Sequence, residues 1–203
     1  GDFHDGLSFA GVFDSPVVVI IQNNQWCISM PASKQTAAET FAQKAIAHGI
    51  PHHRIDGNDV FAVYQTVKQA ADRARKGQGA TVIEAVTYRM LDHNTADSAE
   101  VYRTEDEADY WQALDPFDRF EKYLLAEKII DGNTGKKMAE EAEVWLREAI
   151  DRGRAVPPTH PSAMFESHLH GEPSWSERHQ REELAAELAG QNPLTDFTGE
   201  GLS

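Results

Sequence analysis

Two apolar, β-branched runs, VVVIIQ at residues 17–22 and ATVIEAVTYR at 80–89, flank a long amphipathic segment, and this arrangement constrains the fold more than any other feature. The first run is β-branched and too short for a helix, and the second, apolar with little alternation, has the pattern of a strand covered on both faces. The segment between them, NDVFAVYQTVKQAADRARKG, has Asn58 as candidate N-cap, places Val60, Val63, Tyr64, Val67 and Ala71 along one helical face, and stops at Gly77. HHRID at 52–56 reads as a short strand. AAETFAQKAIAHG reads as a helix, with Phe41, Ala45 and His48 at helical spacing and Gly49 as its stop. Residues 5–13 read as the end of a helix that Pro16 closes. Strand, helix, strand, helix, strand predicts an α/β fold, a doubly wound and mostly parallel sheet.

Beyond residue 104 the pattern changes. The stretches 105–130 and 134–155 read as helical, the second with Met138, Ala142, Trp145 and Ala149 on one stripe, and a further helix is expected at about 175–189. The expected division is therefore 1–104 as the α/β part, 105–190 as its helical extension, and 191–203 as a disordered tail.

Composition excludes several classes. A formal charge of −14 argues against attraction to nucleic acid or an anionic membrane surface. No apolar run approaches the ~20 residues of a membrane-spanning helix. A lone Cys27 rules out an intramolecular disulfide framework and fits a reducing compartment, and its expected role is that of a small packing residue. The chain opens Gly-Asp-Phe-His rather than with Met, which raises the expectation of a preceding segment.

In open α/β sheets ligands bind beyond the carboxyl ends of the strands. That draws attention to residues 23–36, directly after VVVIIQ, and 90–104, directly after ATVIEAVTYR. Asn23 and Asn24 have two readings: they close backbone hydrogen bonds at a strand end, or one of them offers a neutral oxygen to a hard cation such as Mg²⁺. The second loop gathers His93, Asp97, Tyr102 and Arg103, either as an internally paired surface loop or as a site. Glu84 falls inside a buried-looking strand and needs a partner. The HLH at 168–170 is more simply a solvated tail than a metal pair.

The ordered stretches GDFHDGLSFAGVF, PVVVIIQNNQWCIS, KQTAAETFAQKAIAHGIP, RIDGNDVFAVY, VIEAVTYR, DHNTADSAEVYRTEDE and DPFDRFEKYL resemble the alpha subunit of the thiamine-diphosphate-dependent decarboxylating component of 2-oxo acid dehydrogenase complexes. The resemblance runs through about residues 1–126, and more loosely to about 190. It implies a thiamine-diphosphate-binding fold, incomplete at its N-terminal side, with thiamine diphosphate and Mg²⁺ as cofactors. The family signature opens Gly-Asp-Gly and closes Asn-Asn; only the closing half is present, and the opening half would precede Gly1. By resemblance Asn24 gives the metal its side-chain oxygen and Trp26 its main-chain carbonyl, with Asn23 a shaping neighbour. His93 falls on a histidine that approaches the diphosphate and takes part in acyl transfer to lipoamide, and Arg89 joins it on the cofactor. Asp97, Tyr102 and Arg103 match the loop that orders over the cofactor and receives the lipoyl domain.

Two departures stand out. Asn94 occupies the position after the histidine where mammalian relatives carry a regulatory serine, and MLDHNTAD lacks the glycine often found before the histidine. The implied partners are a beta subunit in an α₂β₂ assembly and the lipoyl-bearing acyltransferase. The implied reaction is oxidative decarboxylation of a 2-oxo acid, pyruvate ahead of branched-chain acids; a truncated, non-catalytic chain that binds a beta-like subunit is the alternative. The expected compartment is the cytoplasm for a bacterial or archaeal chain, ahead of the mitochondrial matrix for a eukaryotic one.

Overall fold

The computed structural model describes residues 1–165 and 171–190. These divide into two compact units, Gly1–Gly135 and the described part of Lys136–Ser203. The HLH at 168–170 and the tail 191–203 lie outside the described residues.

In the first unit, helix α1 (Asp2–Val12) leads into strand β1 (Val18–Asn23), a minute hairpin of β2 (Trp26–Cys27) and β3 (Met30–Pro31), and 3₁₀ turns at Ala32–Lys34 and Ala42–His48. Strand β4 (His52–Asp56), helix α2 (Val60–Arg75) and strand β5 (Thr81–Val86) follow, then a single 3₁₀ turn at Ala99–Val101 and helices α3 (Glu105–Gln112) and α4 (Pro116–Ala126). Helix α5 (Gly132–Arg154) crosses the division, and α6 (Trp175–Gly190) lies in the second unit. No helix among the described residues is long and apolar enough to cross a membrane.

The sheet has the order β1-β5-β4 and both pairings are parallel, as a β-branched strand between crossovers requires. The mixed α/β expectation with a parallel sheet therefore holds. Strand β5 is central, and Thr81, Val82, Ile83 and Glu84 are all buried to within 1% of complete. Burying Val82 and Ile83 contributes about 1.5–3 kcal/mol each. Val82 packs with Leu7 and Ala10 of α1, Ala45 and Ile50, while Val19 and Ile21 of β1 border the same cluster.

Register brings the carboxyl ends of all three strands to one edge: Val86 pairs with Asn23 on one side and with Asp56 on the other. The loops after β1, β4 and β5 therefore leave the sheet together.

Four local expectations need correction. The N-cap of α2 is Asp59, whose carboxylate accepts from the N–H groups of Phe61 and Ala62. Asn58 is instead buried, donating to the Leu114 carbonyl and accepting from the Thr87 hydroxyl, so it ties the β4 end to the link between α3 and α4. The buried face of α2 includes Ala70 and Ala74, small enough for close approach to the sheet, while Val60 and Tyr64 face solvent. Residues 42–48 are 3₁₀ rather than α, and Gly49 closes them at φ +68°. In the second unit, Met138 and Trp145 of the α5 stripe are exposed, and the helix is laced by pairs one turn apart, Lys136 with Glu140 and Lys137 with Glu141 among them.

The contact between α1 and the 3₁₀ turn gives a test of packing. A Cβ on Gly11 would stand 2.4 Å from the His48 carbonyl oxygen, a backbone atom that cannot swing aside. Gly11→Ala is expected to destabilise the first unit by about 1–3 kcal/mol, read as a lowered denaturant midpoint with an unchanged slope.

Candidate functional site

Strand β1 ends on two asparagines that make successive turns of the same kind. Asn23 Oδ1 accepts from the Gln25 N–H at 3.1 Å, and Asn24 Oδ1 accepts from the Trp26 N–H at 3.1 Å. Between them Gln25 adopts φ +69°, a left-handed conformation that costs a residue with a Cβ about 1 kcal/mol or more. It is held there by the Asn23 side chain, by its own Nε2 donating to the Asn23 carbonyl, and by the Ala32 N–H donating to its carbonyl at 2.7 Å. Ile28 is also left-handed, at φ +52°, so residues 26–31 close into the small hairpin.

The loop after β5 lies alongside. The Arg89 N–H donates to the Asn24 carbonyl, and Arg89 Nη2 donates to the Ile28 carbonyl and to the Tyr102 hydroxyl, each at 2.8 Å. Tyr102 donates in turn to Asp97 at 2.5 Å, and the same Asp97 oxygen accepts from the His93 N–H at 2.8 Å. The Tyr102 hydroxyl and the His93 N–H hold the Asp97 carboxyl below the usual carboxylate range. Burial and the neighbouring Asp97 push the Tyr102 phenol up. Arg103 donates to the carbonyls of Arg89 and Leu91, and its guanidinium lies near the rings of Tyr88 and Tyr102. Trp26 faces Tyr102 with ring centroids 5.3 Å apart, and Tyr88 stacks on Trp111 of α3.

The structure thus brings Asn24, Trp26, Arg89, Asp97, Tyr102 and Arg103 into one hydrogen-bonded and aromatic assembly at the strand ends. His93 joins it through its main chain alone. Its ring is exposed and has no hydrogen-bond partner among the described residues. Arg89 keeps its Nη1 N–H groups unpaired among the described residues, since its contacts use Nε and Nη2. Cys27, expected as a packing residue, is exposed on β2.

Tyr102 is the joint of the second loop. Tyr102→Phe removes both the Arg89 and Asp97 contacts while keeping the ring against Trp26. The expected result is faster proteolysis within residues 90–104 and a return of the Asp97 titration toward ordinary carboxylates. The sign follows from the depressed folded value: Asp97 favours the ordered loop above its unfolded-state value and loses that effect as pH falls through the folded one. In the wild type this contribution is lost progressively as pH falls from the unfolded-state value through the depressed folded one, and in the variant, whose folded value lies closer to the unfolded one, the contribution is smaller.

Sequence reasoning misses one feature and gives another without its partners. Gln25, the left-handed pivot, has no glycine to announce it, although an Asn-Asn pair that favours side-chain-to-backbone turns is a usable signal. Glu84 was conspicuous, but its partners come from distant segments: Asn23, Ala42 and Arg54.

Chemically, Asn24 Oδ1 is a neutral, hard oxygen that has accepted one N–H and retains a second lone pair. No group of three or more His, Cys, Asp or Glu among the described residues is placed to hold a metal ion. A hard cation at Asn24 would therefore draw its charged oxygens from a ligand or from outside the described residues.

The chain is similar to known proteins along most of its length. The chain is 43% identical over 189 residues to the 3-methyl-2-oxobutanoate dehydrogenase subunit alpha of Mycobacterium tuberculosis, covering 93% of this chain and 51% of that protein. It is 45% identical over 153 residues to the pyruvate dehydrogenase E1 component subunit alpha of Acholeplasma laidlawii, covering 75% of this chain and 44% of the relative. The pyruvate dehydrogenase E1 component subunit alpha of Staphylococcus aureus is 46% identical over 151 residues, 74% of this chain and 41% of its own length. The chain spans about half the length of the curated relatives it matches. With residues 1–162 matched by the model of the dehydrogenase E1 component, the chain belongs to that family.

Proposed function

We propose that this chain carries the diphosphate-binding side of an alpha-type subunit that decarboxylates a 2-oxo acid and passes the acyl group to a lipoyl domain. The observation that carries this reading is the joined pair of loops at the strand ends, in which a neutral oxygen at Asn24 and a spare pair of Arg89 N–H groups lie on directly hydrogen-bonded segments. Family membership supports it. Residues 1–104 are read as the C-terminal part of a doubly wound thiamine-diphosphate domain, and 105–190 as its helical extension.

The donor set fits the cofactor's charged end. Asn24 Oδ1 and the Trp26 carbonyl would hold Mg²⁺, with phosphate oxygens supplying the charge that this set lacks. Arg89 would direct its free N–H groups to the diphosphate. Thiamine diphosphate, when bound, supplies the carbanion and the electron sink that let a 2-oxo acid lose CO₂. The residues of this chain orient and shield. His93 offers one ring nitrogen as donor and the other as acceptor, so it can move a proton during acyl transfer. The Arg89–Tyr102–Asp97 bonds and Arg103 hold the loop that would receive the lipoyl arm. A beta subunit would complete each active site in an α₂β₂ assembly, with a lipoyl-bearing acyltransferase as the acceptor, in the cytoplasm.

The test combines an alpha-type chain carrying both halves of the signature with a beta subunit, Mg²⁺ and thiamine diphosphate, and measures 2-oxo acid-dependent reduction of an artificial acceptor. Higher kcat/KM with pyruvate than with 3-methyl-2-oxobutanoate is expected. The second reading, a branched-chain substrate, is supported by the Mycobacterium relative matching 93% of this chain, and the opposite order of kcat/KM would establish it. Absence of turnover with every 2-oxo acid, in an assembled complex, would overturn the proposal.

A further inference from the structure

Glu84 lies in the middle of the central strand with 1% of its surface exposed, where a polar side chain is costly unless it is hydrogen-bonded. Its Oε1 accepts from Asn23 Nδ2 at 2.7 Å and its Oε2 accepts from the Ala42 N–H at 2.8 Å. Among the described residues the cation that pairs with it is Arg54, whose Nε stands 3.7 Å from Oε1 and whose side chain is about half exposed. Both donors point at the same residue through different oxygens, so a carboxylate satisfies both, whereas an amide would turn an N–H toward one of them. The buried carboxyl group is thus matched to a pair of donors from two segments that lead in and out of the site.

The bond to Asn23 has a directional effect. With Nδ2 committed to Glu84, the amide oxygen of Asn23 is turned to the Gln25 N–H, and this is one of the bonds that hold Gln25 left-handed. Gln25 separates Asn24 from Trp26, so its conformation sets how the Asn24 oxygen and the Trp26 main chain are presented.

We propose that Glu84 is a positioning residue for the metal end of the cofactor, acting through Asn23 and the left-handed Gln25 to fix the loop that presents Asn24 and Trp26; this rests on the reading of Asn24 as a ligand. Glu84 does not touch the ion.

The test uses the assembled alpha–beta complex and three variants, Glu84→Gln, Asn23→Ala and Asn24→Ala, with two readouts. One is the Mg²⁺ concentration for half-maximal quenching of tryptophan fluorescence at fixed thiamine diphosphate. The other is deuterium uptake, without Mg²⁺ or cofactor, of peptides covering residues 22–28. Glu84→Gln is expected to raise the Mg²⁺ midpoint about tenfold, in the range of outer-shell partners of metal ligands, and to speed exchange of the loop about tenfold by lowering its local opening free energy. Peptides from α6 serve as the reference. Should Glu84→Gln fail to assemble, Asn23→Ala breaks the same connection one step later and carries the same expectations. If Asn24→Ala raises the midpoint while Glu84→Gln leaves both readouts unchanged, the positioning role is overturned whatever Asn23→Ala does, and the ligand reading stands. If Asn24→Ala leaves the midpoint unchanged, the ligand reading falls and the proposal for Glu84 falls with it.

Discussion

Replacing Asn24 with alanine is expected to raise the Mg²⁺ requirement for thiamine diphosphate binding about 100-fold or more, beyond the 10–100-fold typical of losing a partner outside the ligand shell. The magnitude rests on the donor set. Among the described residues no carboxylate cluster stands ready to substitute, so one hard oxygen lost from a neutral set is not replaced from within this chain. The same substitution also removes the turn to the Trp26 N–H. The two effects separate by measurement. Loss of the turn would disturb the packing of Trp26 against Tyr102, 5.3 Å away, and alter the near-ultraviolet circular dichroism without metal. Loss of the ligand would move the Mg²⁺ midpoint and leave that spectrum in place. A changed spectrum with an unmoved midpoint would assign Asn24 to loop structure alone.

How the two asparagines divide their roles was only partly legible in the sequence. The strand before them was readable because its apolar run is β-branched and bounded by Pro16, and β5 because it lacks alternation, as burial on both faces requires. The parallel order followed from the helices between strands. What sequence could not supply was set by contacts across long separations. Glu84 meets Asn23 from 61 residues away and Ala42 from 42. Asn58 looked like a cap, yet its side chain is used by Leu114, 56 residues on, and Asp59 caps the helix in its place. The segment ending at Gly49 has Phe41, Ala45 and His48 at α-helical spacing, but spacings of three and four residues do not separate α from a short 3₁₀ run. The hairpin at 26–31 depends on left-handed Gln25 and Ile28, and neither residue type signals φ above zero.

The second loop shows the same division between residue type and geometry. His93, Asp97, Tyr102 and Arg103 could be picked out as polar residues at a strand's carboxyl end, but their roles in the loop differ. Asp97, Tyr102 and Arg103 spend their polar atoms on one another, on Arg89 and on the chain, while the His93 ring is exposed. Mutagenesis of the first three therefore tests loop order, and mutagenesis of His93 tests chemistry.

That distinction makes His93→Ala the sharper experiment on the reaction. The contact that ties this residue to the loop is its main-chain N–H to Asp97 at 2.8 Å, which alanine retains. Loop order should survive, and proteolysis within 90–104 should match the wild type. What is lost is an imidazole able to give a proton at one nitrogen and take one at the other, a contribution typically worth about 10²–10⁴-fold in rate. The loss is expected in acylation of a lipoyl domain, where the lipoyl disulfide breaks as one sulfur takes the acyl group and the other, released sulfur must be protonated. Decarboxylation assayed with an artificial electron acceptor bypasses the lipoyl acceptor and should fall much less. Equal losses in both assays, with the loop still protected, would count against a role in acyl transfer and leave His93 acting before the pathways diverge, at substrate or diphosphate binding.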